Sequence, residues 1–217
     1  MNTVFTSVNV LIWDVDGTLY PFTEGTSQAV LESAYLVIER YTAWPRHKTI
    51  EEFEKVHNRV TLSQTEAVAI ICSIPIAQAA KETDHHFNRT QYVKRDDKLI
   101  ALFEQFRGFR HFILGNGAQK TILEGLTVLG LSASVFDEIV TSETVGVNKP
   151  KDNGFRYIME KTGLPPAQHL MIGDREKVDL VPAHALGMKT CLVWSLKPGM
   201  IADITLPSVY ELAQILS

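Results

Sequence analysis

The sequence predicts an α/β fold, a Rossmann-like parallel sheet core interrupted by an inserted all-helical segment, and three observations predict it. Short apolar runs alternate with amphipathic stretches of about ten residues. Each of three such stretches ends at a glycine suited to a helix C-terminus, Gly130, Gly163 and Gly187. A long block after the first apolar run keeps helical periodicity without offering a strand.

The first strand is predicted at residues 8–13, almost wholly apolar and so suited to a central position covered on both faces. It ends abruptly at Asp14. Further strands are predicted at 110–114, 136–140, 169–172, 189–194 and 202–206, the third of the six being the weakest apolar run. Helices are predicted between them at 120–129, 153–161 and 178–186, and a last helix near Ser208. The insertion, roughly residues 23–95, carries helical patterns at 27–39, 49–60, 65–71 and 76–88, separated by the breakers Pro45 and Pro75. The division that follows is a core of residues 1–21 and 96–217 with a helical cap of residues 22–95.

Composition sets bounds on partners and compartment. The 217 residues are 45% hydrophobic and 21% charged, an ordinary globular balance. A chain of this size buries about 70% of its unfolded surface, so stability requires no covalent staple. Twenty-one Lys+Arg against 25 Asp+Glu give a net charge of −4, which does not favour a nucleic acid polymer or a membrane surface as partner. Cys72 and Cys191, each within an apolar run, offer no disulfide framework or metal knuckle. The N-terminus lacks the basic region of a signal peptide, and no apolar run approaches 18 residues. The expectation is a cytoplasmic protein, monomer or homodimer.

In an open α/β sheet, ligands bind beyond the carboxyl ends of the strands. After the first predicted strand come Asp14-Val15-Asp16-Gly17-Thr18, after the second Gly115-Asn116-Gly117, and after the strand at 169–172 Gly173-Asp174 with Asp179 five residues on. Asn148-Lys149-Pro150 precedes the helix at 153–161. Taken singly, an Asp after a strand is a helix cap and a Lys-Pro pair a solvated turn. Their joint placement at one sheet edge points instead to a site. Clustered carboxylates repel and raise one another's pKa, a cost that a hard divalent cation such as Mg²⁺ removes. Carboxylates, a cation and an ammonium suit a dianionic phosphoryl group. No Ser–His pair is apparent, so in a covalent route a carboxylate is the nucleophile.

These motifs resemble the haloacid dehalogenase superfamily of hydrolases over nearly the whole chain: Asp14-Val15-Asp16-Gly17-Thr18-Leu19-Tyr20, then Leu114-Gly115-Asn116-Gly117, Lys149-Pro150, and Gly173-Asp174 with Asp179. The resemblance implies Asp14 as the nucleophile that forms an aspartyl-phosphate and Asp16 as general acid and base. It implies Lys149 as the catalytic cation, and Thr18, Gly115, Asn116 and Gly117 as the surroundings of the phosphoryl group. Mg²⁺ would be held by Asp14, the backbone carbonyl of Asp16 and Asp174, with Asp179 behind them. Asp16 favours a phosphatase over a dehalogenase, which has no leaving alcohol to protonate. The opening motif and the stretch from Tyr92 to Leu99 resemble pyrimidine 5′-nucleotidase-like members, implying a nucleoside monophosphate or similar small phosphorylated metabolite as substrate.

Gly115 departs from the pattern, which places Ser or Thr there. Losing one hydrogen bond to a charged group costs about 1.5–3 kcal/mol. A phosphate-binding protein with weak or no turnover therefore stays open, and beside it a related phosphomutase and a dehalogenase. Within the insertion, Phe22, Trp44, Arg46, His47 and the pair His85 and His86 are candidates to face the site. Trp44 is expected to pack at a helix end, and adjacent helical histidines point some 100° apart, which disfavours a shared metal. His169 and His184 are expected to pack around the fourth strand and its helix, and Arg175 to cap or to pair with Asp179.

Overall fold

The computed structural model describes residues 5–59 and 62–216, so Met1–Val4 and Val60, the last residue of one predicted helix, lie outside it. Six parallel strands form one sheet in the order β3-β2-β1-β4-β5-β6: β1 (Val10–Trp13), β2 (Arg110–Leu114), β3 (Glu138–Val140), β4 (His169–Gly173), β5 (Lys189–Leu192) and β6 (Ile204–Thr205). This is a doubly wound sheet. Strand order reverses at β1, which pairs with β2 on one side and β4 on the other, with Trp13 level with both Ile113 and Ile172. The three segments that follow these strands are thereby brought side by side.

Alternation along β1 feeds two cores. Leu11 and Trp13 pack with Phe103, Phe106 and Leu126 on one face, while Val10 and Ile12 pack with Phe155, Ile158 and Leu180 on the other. Both faces of the strand are buried, which is why it reads as a continuous apolar run.

Among the described residues, four of the helices between β1 and β2 form one block: α1 (Glu24–Thr42), α2 (Arg46–Arg59), α3 (Gln64–Cys72) and α4 (Ile76–His86). They share a core of their own around Val37, Ile38, Phe53 and Val68. Thr23 caps α1 and Ser63 caps α3, each accepting a hydrogen bond from the backbone N–H three residues on. A further helix, α5 (Asp97–Gln105), is absent from the elements predicted above; Asp96 caps it, accepting from the Lys98 and Leu99 N–H groups. α6 (Gln119–Leu129), the short α7 (Ser142–Val145), α8 (Asn153–Thr162) and α9 (Val181–Ala185) complete the core.

Among the element ends that differ from expectation, three have clear local reasons. β5 stops at Leu192 rather than Trp194, because Trp194 adopts a left-handed φ of 58° and donates its indole N–H to the Thr18 carbonyl. β6 keeps two residues of a predicted five, because the Asp203 carboxylate binds the Thr190 N–H and hydroxyl in place of ladder partners. The helix predicted from Val178 starts earlier, with a π turn over Glu176–Leu180 that leads into α9. The element near Ser208 is a 3₁₀ helix, Val209–Gln214. Both cysteines are free, and no helix among the described residues is long and apolar enough to cross a membrane.

Candidate active site

Asp14 leaves β1 and Asp174 leaves β4, neighbours at the point where strand order reverses. Asp179 arrives from the π turn that follows β4. Oxygens of these three carboxylates lie within 4.8 Å of one another. Gly17 and Gly173 allow that approach: a Cβ on Gly17, whose φ is +85°, would run into the Asp174 carboxylate, and one on Gly173 would lie 2.6 Å from the Asp179 Cβ.

Lys149 is the cation among them. Its side chain is 1% exposed, and its Nζ lies 2.6 Å from Asp14 Oδ1 and 2.7 Å from Asp179 Oδ1. Burial disfavours its charge, but the two carboxylates outweigh burial and raise its pKa. Asp14 is pushed up by burial, which the charge of Lys149 offsets only in part. Asp174 is pushed up to about 8 by burial and by Asp14 and Asp179. Its Oδ1 is buried without a hydrogen-bond partner. An all-oxygen donor set with excess negative charge and an unpartnered carboxylate oxygen fits a hard divalent cation.

The other expected site residues divide. Asp16, Gly115, Asn116 and Gly117 line a cavity of about 390 Å³, together with Asp14 and Asp174. The Asp16 carboxylate stands apart from the trio: Arg89 Nε and Nη2 grip its two oxygens at 2.8 and 2.9 Å, and the Tyr20 hydroxyl donates to Oδ1. Thr18 does not line the cavity. It is fully buried and donates to Asp14 Oδ2 at 3.2 Å, so it orients the carboxylate from behind. The Asn116 amide is spent on the next loop, donating to the Lys149 carbonyl at 3.0 Å and accepting from the Lys149 N–H at 2.9 Å. At Gly115 a Cβ would lie 2.7 Å from Ile122 Cδ1, so isoleucine fills the place where a hydroxyl-bearing side chain would begin.

From the insertion, Phe22 lines the cavity. Trp44 packs against the core of α1–α4 under Lys48, and Arg46 bridges Glu32 and Glu39 across the surface. His47, His85 and His86 are exposed, the last two rings meeting edge to face. His169 is buried between the Pro165 carbonyl and the Thr162 hydroxyl, whereas His184 is exposed rather than packed. Arg175 donates its backbone N–H to Asp179 Oδ2, and its guanidinium lies 3.9 Å from Asp174.

Three residues to which the sequence reading gave no role complete the site. Arg89, in the 3₁₀ turn after α4, is 3% exposed. Asp84 on α4 accepts from the Ala118 N–H at 2.8 Å and from the Thr121 hydroxyl, tying the insertion to the start of α6. His57 on α2 lines the cavity with a buried, unpartnered Nδ1. No local signal marks them, since a polar residue on a helix or turn reads as solvated until the facing segment is known.

Carboxylates and a buried lysine converging at the reversal point of a doubly wound sheet, beneath an inserted helical block, define an α/β enzyme with an acidic, cation-ready centre. The chain belongs to the haloacid dehalogenase-like hydrolase family, whose profile matches residues 11–193. It is similar to pyrophosphatase PpaX of Bacillus pumilus, 28% identical over 195 residues that cover 88% of this chain and 86% of that protein. It is also similar to pyrimidine 5′-nucleotidase YjjG of Escherichia coli, 35% identical over 123 residues, 54% of each. Among solved structures, an HAD phosphatase from Thermococcus onnurineus shares the fold with a TM-score of 0.67 and 21% identity, over 97% of this chain and 98% of that one.

Proposed function

We propose that this protein is a Mg²⁺-dependent phosphatase that hydrolyses a small phosphate monoester through an aspartyl-phosphate on Asp14, with a nucleoside monophosphate or similar metabolite as substrate. The observation that carries the reading is the Asp14 carboxylate itself, buried, held at 2.6 Å by Lys149, and facing a cavity of about 390 Å³. That cavity is of the size of small-molecule sites. A resident Mg²⁺, held by Asp14 and Asp174 with Asp179 behind them, would neutralise charge on the phosphoryl oxygens.

The protein's own groups supply the rest. Thr18 and Lys149 fix Asp14 so that a carboxylate oxygen faces phosphorus. As the Asp14 O–P bond forms, the ester P–O bond breaks, and Asp16, which must leave the grip of Arg89 and take up a proton from solvent before this step, gives that proton to the departing alcohol. Asp16 then takes a proton from water, whose oxygen attacks phosphorus; the Asp14 O–P bond breaks, releasing phosphate and restoring the carboxylate. The four-helix block acts as a cap over the site, excluding bulk water. The working form is a monomer or homodimer in the cytoplasm, with a small phosphorylated metabolite rather than a polymer or membrane as partner.

Steady-state phosphate release from p-nitrophenyl phosphate tests this. Wild type with Mg²⁺ turns over, while Asp14→Asn and wild type with chelator do not. Turnover retained in Asp14→Asn sinks the covalent route. A second reading, phosphate binding with little turnover, is favoured by the Ile122 methyl at Gly115. It predicts saturable phosphate binding with no release from any ester.

A further inference from the structure

The helical wall of the cavity differs in chemistry from its floor. The floor, together with Asp84 and Arg89 at the end of the insertion, holds the carboxylates and their cations. The wall presents Ser27 and Ser33 from α1, Gln64 and Thr65 from α3, and His57 from α2, beside the apolar Val30. The His57 ring stacks on Phe53 with centroids 5.3 Å apart, and its buried Nδ1 has no hydrogen-bond partner within the protein. Burial and the charge of Arg175 lower its pKa, so at neutral pH it stands as an uncharged imidazole.

Charge balance points the same way. Five carboxylates line the cavity or contact groups that do (Asp14, Asp16, Asp84, Asp174 and Asp179), and they face three cations, Lys149, Arg89 and Arg175. Lys149 and Arg89 are each held by two of those carboxylates, and Arg175 stands beside Asp174. A divalent cation brings the set to neutrality, and one phosphoryl dianion then uses the attraction available. A second anion directed at α1–α3 would lie against side chains that carry no charge.

Resting on the phosphatase reading above, we infer that the side of the cavity formed by α1–α3 is a subsite for an uncharged, hydroxyl-bearing alcohol, a nucleoside or a sugar. His57 hydrogen-bonds that alcohol, and the subsite disfavours leaving groups that carry a further phosphoryl or carboxylate group. Both kinds of alcohol offer the same hydroxyls to the wall.

Values of kcat/KM with Mg²⁺ for uridine 5′-monophosphate, ribose 5-phosphate, pyrophosphate, 3-phosphoglycerate and phenyl phosphate test the inference, and the first two tell nucleoside from sugar. The better neutral ester is expected to exceed both anionic substrates at least about tenfold, roughly 1.4 kcal/mol. His57→Ala is expected to lower kcat/KM for that ester at least fivefold more than for phenyl phosphate, mainly through KM. His57→Gln, which keeps a hydrogen-bonding group, is expected to recover part of the loss and serves equally if the alanine variant does not fold. Pyrophosphate or 3-phosphoglycerate turned over as fast as the neutral esters overturns the inference, and so does an unchanged ratio in both His57 variants. In either case phenyl phosphate hydrolysis leaves the phosphatase reading standing. No phosphate from any of the five overturns that reading and this one with it.

Discussion

Arg89, carried on the inserted segment, holds both carboxylate oxygens of Asp16, carried on the loop after β1, 73 residues away in sequence. Burial pushes the Asp16 carboxyl up, but the charge and hydrogen bonds of Arg89 and the Tyr20 hydroxyl outweigh burial and hold it below the usual carboxylate range. The contact holds the residue proposed above for the proton transfers in its ionised form and joins the insertion to the core.

Arg89→Met is therefore expected to destabilise the fold by about 3–5 kcal/mol, since it leaves Asp16 and Asp84 without their buried partner. The Asp16 pKa in the folded chain lies below its unfolded value of about 3.9, so the pairing stabilises above that pH. Its contribution is lost as pH falls through the folded value. Urea midpoints should accordingly differ fully between wild type and Arg89→Met above about pH 5, and the gap should close only as pH falls below about 4. A gap that stays constant as pH is lowered on through the acid range would mean Asp16 is not the group responding to Arg89.

Asp174 titrates in the opposite sense. Its folded pKa is pushed up to about 8 by burial and by Asp14 and Asp179. Between about pH 4 and that value the folded state keeps a proton that the unfolded state has released, so stability without metal falls as pH rises, by up to about 1.4 kcal/mol per pH unit. A cation that needs the ionised carboxylate reverses the penalty. The thermal midpoint of chelator-treated protein should decline from pH 5 to pH 8, and Mg²⁺ should raise it more at pH 8 than at pH 5. In Asp174→Asn both effects should largely vanish.

How much of this was legible in the sequence follows from where the information lies. The six strands and the positions of Asp14, Lys149, Asp174 and Asp179 could be read because apolar runs and the residues just past them are local features, and parallel topology then gathers them. The Arg89 grip on Asp16, the Asp84 tie to α6 and the Asn116 lock on Lys149 could not. Each joins groups at least 33 residues apart, and each needs the docking of one segment on another to be known first. Strand ends were misjudged where a side chain took over a backbone bond, as Asp203 does at β6.

Asn116 illustrates how the structure changes an expected phenotype. Its amide makes a reciprocal pair with the Lys149 backbone rather than facing the cavity as a free donor. Asn116→Ala removes both bonds, at about 1 kcal/mol each, and loosens the loop that aims Lys149 at Asp14. Turnover should fall about tenfold or more and thermal stability should drop, while the inhibition constant for inorganic phosphate changes less than threefold. A large rise in that constant with turnover preserved would return Asn116 to direct phosphoryl contact.

Gly115 invites the opposite experiment, restoring a hydroxyl. The packing sets a condition, because a Cβ there would lie 2.7 Å from Ile122 Cδ1, and Ile122 is 1% exposed in the first turn of α6. Overpacking of this kind costs about 1–3 kcal/mol. Gly115→Ser alone is therefore expected to destabilise the chain while moving phosphate affinity little, its side chain forced off the position that would aim the hydroxyl. Ile122→Val removes the obstructing methyl for about 0.5–1.5 kcal/mol. In the double variant the two costs should be less than additive, with a coupling of about 0.5–2 kcal/mol. The recovered hydrogen bond should tighten phosphate about tenfold or more. Denaturation and phosphate inhibition measured across all four corners of the cycle decide it. If Gly115→Ser by itself binds phosphate tighter at no cost in stability, Ile122 is not what excludes the hydroxyl from this loop.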